Sequence, residues 1–291
     1  MSIQKSRKAS GQSKAQVSII TASFGDLSGL KETGRSILEQ NYPVEWIVVD
    51  SDSGAEFRKY LSNIEGGIHK LIWKSEKDLG LYDGMNKGFE ISNGELILFL
   101  NCGDTLSNPY SVRNVVDSFN ATSWLWAVGL AVRLDETGEP RAVWEYLQPQ
   151  LSGLALGTRT FCHQATFYTR DLLSKVMPYK IDNLAADHLL NIKSFRIATP
   201  HMLPVVTTLF QDGGISSQRP FSAAMRDLRA IRIEEDILLG NSRIVDWILS
   251  WLVVLLVNTG GKLWGAMRII SRKLIHPDQR LELNSKNLNS K

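Results

Sequence analysis

Val17-Ser18-Ile19-Ile20-Thr21-Ala22 and, further on, Glu45-Trp46-Ile47-Val48-Val49-Asp50 decide the fold class. Both are short runs rich in β-branched residues, and both read as buried strands. Ser23-Phe24-Gly25-Asp26 forms a loop after the first. Residues 30–40 then carry Leu30, Thr33, Ile37 and Leu38 on one helical face, and Pro43 closes the turn into the second strand. The alternation continues through the loop Ser51-Asp52-Ser53-Gly54, a helix over residues 55–64 and the strand His69-Lys70-Leu71-Ile72-Trp73. A glycine-rich loop, a helix over residues 82–92 and the strand Glu95-Leu96-Ile97-Leu98-Phe99-Leu100 complete it. Strands alternating with helices predict a parallel sheet with right-handed crossovers. Ligands of such sheets bind beyond the carboxyl ends of the strands. Asp50, Asp52, Asp78, Asp83 and Asp104 all fall at that edge. Acids gathered there are costly unless a cation offsets them, and a divalent metal carrying a diphosphate would do so.

Composition bounds the alternatives. The 291 residues are 43% hydrophobic and 22% charged, as in a globular chain with ample core material. The 33 basic and 30 acidic residues leave a net charge of +3, and no long basic stripe emerges, which argues against a nucleic-acid binder. Cys102 and Cys162 form neither a CxxC pair nor a metal-ligand spacing with a histidine, so buried free thiols in a reducing compartment are expected. Residues 1–16 are polar and mildly basic without an apolar centre, and read as a disordered lead-in rather than a secretory signal. A cytoplasmic location is expected.

The segment Ser75-Glu76-Lys77-Asp78-Leu79-Gly80-Leu81-Tyr82-Asp83-Gly84-Met85-Asn86-Lys87-Gly88, followed by Leu98-Phe99-Leu100-Asn101-Cys102-Gly103-Asp104, is the most specific pattern in the chain. It resembles the inverting family-2 glycosyltransferases of the GT-A fold, in particular the bacterial polysaccharide-biosynthesis group. Asn101-Cys102-Gly103-Asp104 is similar to that group's version of the DxD motif, with Asn in the first place. The resemblance runs from about Val17 to Ser217 and implies a GT-A-like, Rossmann-like α/β domain. Its sheet would be mixed, mostly parallel, and flanked by helices. It also implies a nucleoside diphosphate sugar as donor, a UDP-sugar being favoured, and Mn2+ or Mg2+ as cofactor. Asp104 is then the metal ligand, and Asn101 a neutral oxygen beside it. Thr21, Asp50 and Asp52 would surround the base and ribose, and Asp78, Asn86 and Lys87 would complete the donor site. An Asx turn explains Asn101 to Asp104 as well, and Lys87 equally suits the outer face of its helix. Tyr82 and Met85 read as packing residues.

Between residues 124 and 168 the chain reads as mixed strands and loops: Trp126-Ala127-Val128-Gly129, Ala142-Val143-Trp144-Glu145 and Gln164-Ala165-Thr166-Phe167-Tyr168. A helix is expected over residues 184–195. Inverting transfer needs one base to take the acceptor's proton during in-line attack. Ala185-Ala186-Asp187-His188-Leu189-Leu190 resembles the family element that supplies it, so Asp187 is the expected base; Asp182 is a rival in an exposed loop, and helix capping is the plain alternative. The stretch Phe161-Cys162-His163-Gln164 resembles an element that contacts donor phosphates or acceptor through His163 and Gln164. Gly213 and Gly214 resemble a loop that follows the last strand and approaches the diphosphate.

A charged helix is expected over residues 222–239, after which residues 244–257 are apolar except for Asp246, Ser250 and the polar atoms of two tryptophans. That stretch is short of the roughly twenty residues of a span. Trp247, Trp251 and Trp264 suit a headgroup layer, and Arg268, Arg272 and Lys273 an anionic leaflet. A C-terminal helical, membrane-associated tail is expected, with a packing helix or an oligomer interface as the alternative. The expected layout is a lead-in at 1–16 and the transferase domain at 17–218, split into a nucleotide-sugar half at 17–108 and an acceptor half at 109–218. A helical tail follows at 219–280 and a disordered end at 281–291. The expected reaction moves a sugar, with inversion, to a glycan or lipid-linked glycan hydroxyl in surface polysaccharide synthesis, at the inner face of the plasma membrane. Two rivals remain. One is a sugar-phosphate nucleotidyltransferase, disfavoured because the Ser23 to Asp26 loop has no basic residue; the other is a non-catalytic transferase-like partner in a biosynthetic complex.

Overall fold

The computed structural model describes residues 4–5, 16–135, 137–144, 151–157, 160–211 and 219–259. Its first half is built from β1 (Gln4–Lys5), β2 (Val17–Ser23), α1 (Leu27–Leu38), β3 (Val44–Asp50), α2 (Ala55–Ser62), β4 (Lys70–Ser75), α3 (Leu81–Ile91) and β5 (Leu96–Phe99). The second half adds β6 (Thr105–Leu106), α4 (Ser111–Thr122), β7 (Trp126–Leu134), β8 (Pro140–Trp144), α5 (Leu151–Leu156), β9 (Thr166–Thr169), α6 (Arg170–Val176), α7 (Ala186–Ile197) and β10 (His201–Gln211). Two helices, α8 (Phe221–Glu234) and α9 (Arg243–Thr259), follow. The strands form one sheet in the order β1-β4-β3-β2-β5-β9-β7-β10-β6, with β8 on β7. β4, β3, β2 and β5 run parallel, as expected. β9 then pairs antiparallel with both β5 and β7, and β10 runs parallel to β7. The sheet is mixed because β9 runs against both its neighbours, while β7 and β10 run in the same direction as the first-half strands.

Alternation along each strand sorts the core into two layers, because successive side chains face opposite sides of a sheet. Ile20, Ile47, Val49, Ile97 and Phe99 point to the side covered by α3, α6 and α7, through Met85, Leu172, Leu173, Leu189 and Ile192. Ile19, Trp46, Val48, Leu96 and Leu98 point to the side covered by α1, α2 and α4, through Leu30, Ile37, Phe57, Leu61, Val112 and Val115. Helix α3 approaches the sheet closely: a Cβ on Gly88 would stand 2.4 Å from Cγ2 of Ile20. Gly80, at φ 114°, is the N-cap of α3 in a backbone region that other residues rarely adopt. These two glycines place the first turn of α3 beneath the ends of β2 and β3.

Several boundaries differ from the sequence reading. Helix α1 starts at Leu27 rather than 30, because the Asp26 carboxylate caps it by accepting from the Gly29 amide at 2.8 Å. The expected strand at Gln164 starts at Thr166, since His163–Ala165 forms a 3-10 turn. Helix α8 ends at Glu234 instead of 239. Helix α9 packs on α8 through Met225, Val253 and Val254, and no helix among the described residues is long and apolar enough to cross a membrane.

A buried polar knot fastens the last two helices. Nε of Arg232 donates to Oδ1 of Asp246 at 2.6 Å, and Nη2 donates to Oγ of Ser250 at 2.5 Å. Nη1 of Arg232 donates to the carbonyl of Ala155 at 2.8 Å, which ties α8 to α5. A neighbouring carbonyl of α5, Leu154, is met by Nε2 of His188 at 2.6 Å, and His188 follows Asp187 in the first turn of α7.

Candidate functional site

Three strands of the parallel block, β2, β3 and β4, end on a polar residue: Ser23, Asp50 and Ser75. Asp50 closes β3, fully buried, and its carboxylate accepts from the Ser53 amide at 3.0 Å and from Ser75 at 2.7 Å. A short hydrogen bond from the Ser53 hydroxyl completes its partners. Asp78 accepts from Ser51 at 2.9 Å and from the Gly80 amide at 3.0 Å, so it organises the loop that launches α3. Asp52 lies in the left-handed region and pairs with Arg58 at 2.9 Å on the surface.

Three of the expected donor-site residues have internal partners. Oγ1 of Thr21 accepts from Nε1 of Trp46 at 3.1 Å with no exposure. The Asn86 amide binds both backbone groups of Tyr179, donating to its carbonyl at 2.9 Å and accepting from its N–H at 2.8 Å. Lys87 pairs with Asp83 at 2.9 Å and Glu76 at 3.5 Å along the outer edge of α3. Asn86 thus joins the donor half to the acceptor half, and Lys87 braces its own helix.

The turn after β5 holds a buried carboxylate. Asp104 is 7% exposed, and Oδ2 accepts from Nε2 of Gln164 at 3.0 Å while the Gln211 amide lies 3.3 Å from Oδ1. Burial pushes its pKa up to about 7, against those two hydrogen bonds. Oδ1 of Asn101 is buried without a partner. A buried carboxylate short of compensation beside an orphaned amide oxygen is the donor set that a hard cation satisfies. Among the described residues no cluster of three or more His, Cys, Asp or Glu could hold a metal unaided. Asn101 and Asp104 are the residues here whose oxygens would suit a divalent ion, were a ligand to supply the remaining donors.

Asp187 stands in the first turn of α7, where the helix dipole favours negative charge. Its Oδ1 accepts from the Tyr82 hydroxyl at 3.0 Å, and that hydroxyl also lies 3.0 Å from the Leu184 carbonyl. Burial, and then the charge of Asp187, raises the Tyr82 phenol far above its ordinary range, so it remains a donor. His163 is buried, stacks on Phe99 at 6.2 Å, and has no partner for Nδ1. Burial lowers its pKa against the opposing field of Asp187, which leaves a neutral imidazole. Burial drives the Cys162 thiol up to about 12, and the charges of Asp104 and Asp187 add to the shift. The Cys102 thiol is also pushed up to about 12, by burial and then by the charges of Asp26, Asp104 and Asp50. Both cysteines are free, Cys162 buried and Cys102 half-buried.

Tyr82 is a residue that the sequence reading assigned to packing, and its partner lies 105 positions away. Phe24 was assigned no role, yet it is 79% exposed beside the Gly25 amide that donates to Ser53. An exposed aromatic in the loop of an otherwise buried strand was the available signal. Gly213 and Gly214 lie outside the described residues.

Known proteins resemble this chain in sequence and in fold. The family model described as "Glycosyl transferase family 2" matches residues 18–177. An uncharacterised glycosyltransferase of Mycobacterium tuberculosis is 34% identical over 221 residues, covering 73% of this chain and 81% of its own. A PGL/p-HBAD biosynthesis glycosyltransferase of Mycobacterium bovis is 28% identical over 167 residues, 51% of this chain and 57% of its own. Among solved structures, S. aureus TarS 1-349 in complex with UDP-GlcNAc aligns with a TM-score of 0.60 at 17% identity, over 75% of this chain and 66% of that one. The mannosyltransferase PcManGT of Pyrobaculum calidifontis, in complex with GDP-Man and Mn2+, aligns with a TM-score of 0.56 at 14% identity, over 92% and 84%. The sheet order and layers are those of the GT-A-like fold. With its family match covering more than half the chain, this protein belongs to glycosyl transferase family 2 and is a glycosyltransferase.

Proposed function

We propose that the protein transfers one sugar, with inversion at the anomeric carbon, from a nucleoside diphosphate sugar to a hydroxyl of a glycan or lipid-linked glycan. The observation that carries this reading is the Tyr82–Asp187 hydrogen bond, which joins the helix after the Asp78–Gly80 loop to the first turn of α7. Asp187 takes the proton from the acceptor hydroxyl as its oxygen attacks the anomeric carbon. The bond from that carbon to the diphosphate oxygen breaks, and its electron pair leaves with the diphosphate. Tyr82 occupies Oδ1 of Asp187 and so leaves Oδ2 for the acceptor. Neutral His163, with Nδ1 free, supplies a polar contact to acceptor or phosphate without adding charge.

Asn101 and Asp104 would hold Mn2+ or Mg2+, which offsets charge growing on the departing diphosphate. Gln164 orients the Asp104 carboxylate. Asp50, Asp52 and Asp78 line the nucleotide side, where Phe24 offers a flat surface to a base. Thr21, Asn86 and Lys87 support that site from behind. UDP is the favoured nucleotide, in line with the TarS complex. The tail from residue 219 is proposed to keep the protein peripheral on the inner face of the plasma membrane, with surface polysaccharide or glycolipid as the setting. PGL/p-HBAD biosynthesis, named for a relative, is one example of such a setting.

A thermal-shift panel of UDP- and GDP-sugars, each with Mn2+, Mg2+ or EDTA, tests the reading. A melting shift with one sugar nucleotide that EDTA abolishes is expected. No shift with any member would overturn it.

A further inference from the structure

Asp246 and Ser250 are polar exceptions in the otherwise apolar stretch 244–257. The structure turns both inward, where they are 0% and 3% exposed and satisfy Arg232. Helix α9 thus turns Asp246 and Ser250 toward the protein, beside the buried Val253 and Val254, and leaves a second apolar face outward. The outer stripe, Ile244, Trp247, Ile248, Trp251, Leu252 and Leu255, follows helical spacing, and its members are 45% to 71% exposed. Arg243 and Asp246 are the charged residues of α9. A stripe of this size is not left to water in an ordinary monomer.

We propose that this stripe docks α9 flat on an anionic lipid surface. The inference names the face and the lipid charge for the peripheral association proposed above, and it does not depend on the chemistry of sugar transfer. Charge complementarity selects lipid over another occupant. Residues 260–273 contain Lys262, Arg268, Arg272 and Lys273 and no acid, so the chain following the stripe suits lipid phosphates. Trp247 and Trp251, with ring centroids 6.4 Å apart, suit the headgroup boundary. The buried pair Arg232–Asp246 holds the stripe rigidly outward, so docking costs little ordering.

The test is partition of the full-length protein onto phosphatidylcholine vesicles with and without phosphatidylglycerol. Trp247→Ser/Trp251→Ser/Leu255→Ser should lower binding to anionic vesicles by roughly tenfold or more. Replacing Lys262, Arg268, Arg272 and Lys273 by Gln should lower it by roughly fivefold per charge, with no effect on neutral vesicles. Ile248→Glu, a single exposed change, repeats the first arm if the triple variant misfolds. Binding equal to wild type in the stripe variants overturns the proposal, as does failure of the wild type to bind. So does a lipid-free dimer that the stripe variants dissociate while vesicle binding is unaffected, because a second copy is then the occupant.

Discussion

Tyr82, in the first turn of α3, donates to Oδ1 of Asp187, in the first turn of α7, at 3.0 Å. One hydrogen bond thus ties the helix after the donor loop to the proposed base.

Tyr82→Phe removes that donor, and with it the contact to the Leu184 carbonyl, while the ring remains packed against Tyr179 at 5.2 Å. A hydrogen bond to a carboxylate contributes about 1.5–3 kcal/mol. The account predicts a kcat lower by roughly tenfold to a hundredfold, with donor KM within a few-fold. Steady-state kinetics of UDP or GDP release measure it, and an unchanged kcat would remove Tyr82 from the positioning role.

Gln164→Leu tests the support of Asp104. Partners that orient a metal ligand contribute roughly tenfold to a hundredfold in metal affinity. Mn2+ titration by calorimetry in the presence of UDP should weaken by that factor, and Asp104→Ala should make nucleotide binding indifferent to EDTA. Metal dependence that survives Asp104→Ala would contradict the assignment.

Much of the donor half was legible because β-branched runs ending on acids are a local signal. Asp50 closes β3 at the expected residue, and the loop glycines fall where α3 begins. What was hidden depends on distance in sequence. No local pattern reveals that Asn86 serves Tyr179, 93 positions on, or that Tyr82 serves Asp187. The outward or inward sense of Asp246 was equally hidden, since it is set by Arg232 on another helix. Lys87 was legible either as a ligand contact or as a brace, and its ion pairs with Asp83 and Glu76 give it the second role.

Glu45, at 2% exposure, supplies a pH dependence at the far side of the sheet. Burial alone raises its pKa, but hydrogen bonds from Lys70, Ser18 and the Asn93 amide outweigh that and hold it below 4.5. A carboxyl depressed in the folded state adds stability above its unfolded pKa and loses it as pH falls through the folded one. Glu45→Gln should therefore cost about 2 kcal/mol at neutral pH. The gap to wild type should close in melts taken below about pH 4. A gap constant from neutral to acid pH would contradict this role.

Gly88→Val tests the approach of α3 to β2, since even a Cβ there meets Ile20 at 2.4 Å. Overpacking should cost about 1–3 kcal/mol in denaturant unfolding. Equal stability would mean that the helix can shift without loss.

Asp187→Asn is the most direct measurement. The carboxamide keeps the shape and the Tyr82 contact but cannot take a proton at neutral pH. Turnover of the sugar nucleotide selected by the thermal-shift panel should fall by at least roughly a hundredfold, within the range of general-base catalysis. Donor affinity by calorimetry should remain within a few-fold. Turnover that matches wild type would contradict the account at its centre.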